Sequence, residues 1–341
     1  MISIVTSKKE WDNTLFAIEK YDTYHTYEYH HLVKGDQESP ILFTYRDNET
    51  IIALPLLIRN IVGGPYKDAT CVYGYCGPIS TPVTDSYDNI PFMKALHEYL
   101  WENNIISVFS RLHPFIPAQA TILANMGKVE RLGNIVNIDL SKRLEVQRQA
   151  YHRRLRTYIN KSRKLCDIRI ATTEDDVRTF IDQYYETMRR TNAHPRYFFP
   201  EAYFFKLMAA EDFECPMLLV SDKSDGSIIG GSMFLIKNNM VHYHLSCAND
   251  QGLKYNAIKL VIDEMRLHAT EKKYNFYNLG GGLGSKEDSL FYFKSSFSKD
   301  YRPFKIWKYI VNPSVYDQLC SIKEQQVQSS DFFPLYRMPL K

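Results

Sequence analysis

Cysteine is sparse in this chain. Six occur in 341 residues (Cys71, Cys76, Cys166, Cys215, Cys247 and Cys320), with no C-x-x-C pair. That argues against a zinc ribbon or a disulfide framework, so the thiols are expected to be free and buried. Long apolar runs are missing as well. The longest aliphatic stretch, IIALPLLI from Ile51 to Ile58, is far below the ~18 residues of a membrane-spanning helix. The opening MISIVTSKKE has no apolar leader core, and a cytoplasmic location is expected, with no membrane partner. Neither sign of charge dominates: 42 Lys and Arg stand against 39 Asp and Glu, net +3, which gives no reason to expect DNA as a partner. The usual phosphate-cradling motifs are absent too. From Gly280, at the head of YNLGGGLGSKEDSLFYFKSSFS, both the P-loop and the dinucleotide fingerprint require glycine where Ser285 stands.

What the chain has instead is aromatic side chains, 14% of the residues and 25 of them Tyr, and an order of elements that occurs twice. PILFTYRDNETIIALPLLIR (40–59) and PMLLVSDKSDGSIIGGSMFLIK (216–237) both read as β-hairpins around a polar turn. ISIVTSKKEWDNTLFAI and DIRIATTEDDVRTFIDQY precede them, each a short strand, a Ser/Thr cap and an amphipathic helix. A second aromatic helical stretch is expected before each hairpin, near 24–33 and 200–210. After the hairpins come further helices and strands: PFMKALHEYLWEN and IISVFSRL in the first half, MVHYHLSCA, KYNAIKLVIDEMRLHA and YNFYNL in the second. The fold class expected is α/β with mixed sheets, as two tandem domains, 1–150 and 151–341, the second ending in a strand and helix over 301–341.

Charge is concentrated between the copies. KRLEVQRQAYHRRLRTYINKSRK (142–164) carries nine Lys/Arg against Glu145, a net of +8, so the remainder of the chain sums to −5. Tyr151, Leu155, Tyr158 and Ile159 fall on one face of a helix, which leaves Arg153 and Arg156 for a cleft or for solvent. A solvated helix face and a wall for diphosphates or nucleic acid both fit this pattern.

Several residues carry chemistry. In MVHYHLSCA, strict alternation puts Val241, Tyr243 and Leu245 on one face and His242, His244 and Ser246 on the other. No metal is expected there for want of a third spaced ligand, and His25, His30 and His31 converge poorly on a helix. Asn249, Asp250 and Gly252, with Asn256 beyond them, form a strand-to-helix turn that suits a diphosphate or a polarised carbonyl, or serves only as a cap. Asp288 and Ser289 stand where a helix should start. Lys294 is a lone cation among Leu290, Phe291, Tyr292, Phe293 and Phe297, costly to bury unpaired unless it snorkels. Tyr73 and Tyr75 alternate with Gly74 and line either a cleft or a core, while Arg111 and His113 end a strand, where α/β ligands gather.

Four stretches, YKDATCVYGYCGP (66–78), SVFSRLHP (107–114), the basic helix with Arg156, Ile159, Asn160 and Lys161, and the glycine cluster followed by Asp288, Ser289 and Phe293-Lys294, together resemble the FemAB-like branch of the GNAT acyltransferase superfamily. That resemblance implies two GNAT-type domains and transfer of an acyl group to an amine. The pattern is most similar to sugar-nucleotide N-acyltransferases that place a hydroxybutanoyl group from acyl-CoA on a dTDP-linked amino-dideoxyhexose for surface glycans. Other members of the branch use aminoacyl-tRNA to extend peptidoglycan precursors, and a non-catalytic glycan-binding protein can share the fold. On the sugar-nucleotide reading, Lys294, His244 and Asp288 are the expected catalytic residues. Asn249, Gly252, Asn256, Gly281 and Gly282 are expected to border acyl-CoA. Tyr73, Tyr75, Arg111, His113, Arg153, Arg156, His242 and Ser289 are expected to bind the acceptor. The usual GNAT pyrophosphate signature is not matched: Asn249-Asp250-Gln251-Gly252-Leu253-Lys254 stands nearest to it.

Overall fold

The structure, a computed structural model, describes residues 1–324 and 331–339. Its first part runs β1 (Ile2–Val5), α1 (Lys8–Ile18), α2 (Tyr27–Val33), β2 (Glu38–Asp47), β3 (Thr50–Asn60), β4 (Lys67–Thr70), β5 (Ile79–Ser80), α3 (Ile90–Glu102), β6 (Ile105–Arg111) and α4 (Ala118–Ile122). Next come β7 (Lys128–Asp139), α5 (Leu144–Gln149), α6 (Arg153–Leu165), β8 (Cys166–Ile170), α7 (Glu174–Arg190), α8 (Glu201–Met208), β9 (Met217–Asp222), β10 (Ile228–Lys237) and β11 (Met240–Ala248). The chain closes with α9 (Asp250–Tyr255), α10 (Ala257–Glu271), β12 (Phe276–Gly280), α11 (Ser289–Ser295), β13 (Asp300–Ile310) and α12 (Pro313–Glu324).

Two compact units result, Met1–Leu132 with Pro303–Lys341, and Gly133–Arg302. The division differs from the expected boundary at 150, and the segment over 301–341 departs further. From Pro303 onward it packs with the first unit, because β13 pairs antiparallel with β6 from Ile306↔Arg111 to Ile310↔Ser107. Trp307 is thereby fully buried in the first core with Phe43, Phe92 and Leu96, and its Nε1–H donates to the Met126 carbonyl. The end of the expected closing helix, beyond Glu324, lies outside the described residues.

The repeat is realised strand for strand. The first unit's sheet follows the order β1-β2-β3-β4-β6-β13, the second's β8-β9-β10-β11-β12-β7. Each contains an antiparallel hairpin, regular from Glu38↔Arg59 to Asp47↔Thr50 in the first and shifted between Ile228 and Gly230 in the second. Helices α1 and α7 start after Ser7 and Thr173 as expected, but only Thr173 caps through its side chain. Thr173 and Asp176 form a capping box at α7, whose first turn is wholly acidic, as the helix dipole favours.

In each unit one neighbouring pair is parallel, β4 with β6 and β11 with β12. The two pairs part differently. β11 and β12 pair only at Met240↔Phe276, Val241↔Tyr277 and His242↔Asn278, after which β11 continues to Ala248 alongside β10 alone. In the first unit the chain beyond β4 rejoins β6 at Cys76↔Leu112, where the Gln119 amide donates to the carbonyls of Cys76 and Pro78.

The basic segment is two helices. Tyr151, Leu155 and Ile159 are buried as expected, but Tyr158 is exposed. Arg148 and Arg163 turn inward to the fully buried Asp263 of α10, at 3.3 and 2.8 Å, and Arg266 joins them. Burial alone would raise the pKa of Asp263, but Arg266 and then Arg163 outweigh it and hold the carboxylate below its usual range.

Candidate functional site

β11 carries the feature that shapes the second unit's site. Phe234 pairs with Tyr243 and Met233 with Leu245, so His244 is an extra residue and the strand bulges there. Strict alternation fails at that point. The Tyr243 hydroxyl donates to Ser246 Oγ, although the period-two reading places the two on opposite faces. The bulge falls just past the last β11–β12 pair, where the two parallel strands separate.

The glycines follow β12. Gly280 has φ +76°, a left-handed conformation that favours glycine. A Cβ on Gly281 would come within 2.8 Å of the Asn134 carbonyl oxygen. On Gly282 it would lie 2.0 Å from the Lys286 carbonyl oxygen and 2.4 Å from Asp288 Oδ1. Close backbone approach therefore accounts for both. Asp288 caps α11, accepting from the Phe291 N–H at 2.9 Å and the Leu283 N–H at 3.0 Å, bonds that lower its carboxyl pKa. Ser289, the first residue of α11, is exposed.

α11 then delivers Lys294. Its side chain is buried, and Nζ donates to the Gly281 carbonyl at 2.7 Å. Nζ also stands 6.0 Å from the centre of the Tyr243 ring. Burial pushes its pKa down to about 8, with Asp288 resisting the shift. The ammonium makes no other hydrogen bond and no ion pair among the described residues, so two N–H donors remain for a ligand oxygen.

The two histidines of β11 are tied down separately. The Asn278 amide lies 3.1 Å from His242 Nδ1, while its oxygen accepts from the Gly280 N–H at 2.8 Å. His244 Nε2 lies 2.8 Å from the Tyr203 hydroxyl of α8. Burial, then neighbouring His242, pushes the His244 pKa down to about 3, so the ring is neutral near pH 7. Asn249 caps α9 by accepting from the Gly252 N–H, and Gly252 lets that turn press on β10, where a Cβ would be 2.1 Å from the Ile229 oxygen. The helix expected over 254–269 is interrupted: Asn256 is left-handed (φ +58°) between α9 and α10, with its Oδ1 accepting from Lys259. Arg153 is exposed and Arg156 half-buried on α6.

The remaining expected residues are in the first unit. His113 is buried, not offered to solvent: its Nε2 lies 2.9 Å from Asp22 Oδ2, and Nδ1 accepts from the Phe115 N–H. Arg111 sits 5.9 Å from the ring of the exposed Tyr73. Tyr75 packs edge-on to Tyr24, His113 and Phe304. Gly74 between them is required, since φ is +135° and a Cβ would fall 2.2 Å from the Tyr24 ring. Asp68 of the YKDATCVYGYCGP stretch is fully buried between Arg59 and Arg337.

Residues 148–301 match the family model of the acetyltransferase (GNAT) domain. The second unit is similar to a GNAT acetyltransferase domain over those residues. Its separating parallel strands, β11 bulge and strand-to-helix turn at Asn249 all fall within the matched residues. No curated protein matches the chain. Among solved structures, the crystal structure of FemX superposes with a TM-score of 0.73 at 12% identity, over 93% of this chain and 99% of that one. A tandem GNAT protein from the clavulanic acid biosynthesis pathway gives 0.51 at 8%, over 92% and 99%. A conserved protein of unknown function from Bacteroides thetaiotaomicron gives 0.58 at 12%, over 91% and 100%. At these identities the likeness is one of fold, shared with a tandem GNAT protein among others. The match to an acetyltransferase (GNAT) domain supports an N-acyltransferase.

Sequence reasoning missed Tyr203, Asn278, Asp22 and the Asp263 cluster. Only the last had a signal, an Asp-Arg pair at i, i+3 inside the apolar stripe of α10.

Proposed function

We propose that the chain transfers a short acyl group, such as 3-hydroxybutanoyl, from acyl-CoA to the amine of a nucleotide-linked amino sugar. A dTDP-3-amino-3,6-dideoxyhexose, used in O-antigen or capsule synthesis in the cytoplasm, is the favoured acceptor. The observation that carries the reading is Lys294: a buried ammonium with two free donors in a GNAT domain, close to where β11 and β12 separate. Amide formation from a thioester builds negative charge on the carbonyl oxygen, and a preplaced cation stabilises it most in the transition state. The open gap between β11 and β12 supports the second unit as the acyl-CoA domain, because the first unit's corresponding gap is bridged at Cys76↔Leu112.

Aminoacyl-tRNA as donor is the second reading. Its support is α6, where exposed Arg153, Arg154, Lys161 and Lys164 and half-buried Arg156 have no carboxylate partner among the described residues. The test is thiol release from 3-hydroxybutanoyl-CoA across a panel of dTDP- and UDP-amino sugars, with products identified by mass spectrometry. Release of free CoA with an N-acylated sugar is expected. Failure across the panel, with salt-sensitive binding of tRNA, favours the second reading instead.

A further inference from the structure

The α7–α8 connection supplies a residue that sequence reasoning did not mark. Phe199 and Tyr203 stack at 4.3 Å between ring centres, nearly parallel, and this fixes the Tyr203 ring on α8. From there its hydroxyl meets Nε2 of His244, 41 residues away in the chain. His244 is the extra residue of the β11 bulge, so its ring is displaced from the regular pleat, in the stretch where β12 no longer accompanies β11. The ring is only half-buried. Its Nδ1 makes no hydrogen bond among the described residues.

We propose that Tyr203 is the positioning residue of the transfer step: its hydroxyl oxygen accepts from His244 Nε2–H and leaves the Nδ1 lone pair facing the acceptor amine. This rests on the N-acyltransfer reading. The neutral amine hydrogen-bonds to Nδ1 and attacks the thioester carbonyl. The C–N bond forms and the C–S bond breaks; the amine proton passes by way of Nδ1 to solvent, the departing thiolate takes one up from solvent, and amide, free thiol and neutral His244 remain. A neutral imidazole has one donor and one acceptor nitrogen, so fixing one fixes the other. A bulged strand next to an active cleft is a common way to aim such a side chain.

The experiment compares the intact wild-type chain with Tyr203→Phe, which keeps the stack on Phe199. Nitrogen-15 NMR of histidine-labelled protein reads the tautomer, and steady-state kinetics use 3-hydroxybutanoyl-CoA with a dTDP-3-amino-3,6-dideoxyhexose. Wild type is expected to show His244 protonated at Nε2 and bare at Nδ1. The variant should show both tautomers, with kcat lower by about tenfold and the donor KM unchanged. His244→Asn should lose about a hundredfold. Wild-type His244 carrying its proton on Nδ1 overturns the proposal, as does a Tyr203→Phe enzyme with full kcat. If wild type transfers nothing to any amine the function is wrong, while the NMR arm still decides whether Tyr203 sets the tautomer.

Discussion

The Lys294 ammonium is held 2.7 Å from the main-chain oxygen of Gly281, thirteen residues earlier. That bond sets a cation at the end of β12 with no counter-charge in contact among the described residues. Lys294→Ala is expected to cut acyl transfer by about 10²–10³-fold while acyl-CoA binding changes little, checked by single-turnover kinetics. An unchanged rate would remove Lys294 from the mechanism.

Two pH effects follow from its pKa of about 8, and their signs differ. The charged form that stabilises an oxyanion is lost as pH rises through about 8, so kcat should fall there. Folding responds the other way. The unfolded chain holds this proton up to the ordinary lysine range, so between about 8 and that range the unfolded state binds more protons and Lys294 makes stability rise with pH. Comparing denaturant midpoints of wild type and Lys294→Met from pH 7.5 to 10 reads the difference.

Gly282→Ala tests the tight turn before α11. Its Cβ would meet the Lys286 oxygen and Asp288 Oδ1, so the α11 cap must shift. A destabilisation of about 1–3 kcal/mol is expected, with a larger proportional loss of activity because α11 carries Lys294. Equal melting temperature and rate would show that the turn yields freely.

Asp263→Ala removes the only carboxylate that Arg148 and Arg266 contact among the described residues. A loss of about 3–5 kcal/mol is expected from the stranded buried charge. Urea melts check it, with Asp263→Asn expected to be milder because the amide still accepts from Arg266 and Tyr151.

The first unit should be acid-sensitive. His25 and His30 are fully buried, their pKa values pushed down to about 3 and about 4 chiefly by burial. Both lie below the unfolded value, so protons favour the unfolded chain and stability declines as pH falls from about 6.5 towards 4. Thermal melts at pH 7 and pH 5 should show the drop, reduced in His30→Gln; identical slopes in the two proteins would contradict it.

The duplicated α/β order was readable because hairpins, caps and amphipathic helices are written in local periodicity. Strand MVHYHLSCA and both hairpins form where their β-rich runs lie, but alternation within MVHYHLSCA breaks at His244. Short β4 and long β7 were not marked, since KDAT has little β character and KVERLGNIVNID mixes polar and apolar residues without a clean period. Lys294 stood out as one charge among aromatics. Tyr203 did not, because nothing local distinguishes a tyrosine that meets His244 from one that fills a core.

By itself, the sequence determined the repeat, the strand and helix types, the cap of α11 and the isolation of Lys294, all consequences of interactions within a few residues. Tertiary structure alone decided that residues from Pro303 complete the first unit, that Asp263 draws in Arg148 and Arg163, and that His244 bulges toward Tyr203. Those outcomes depend on strand register and on which distant side chain can satisfy a buried charge or ring nitrogen, and neither is set until the sheets assemble.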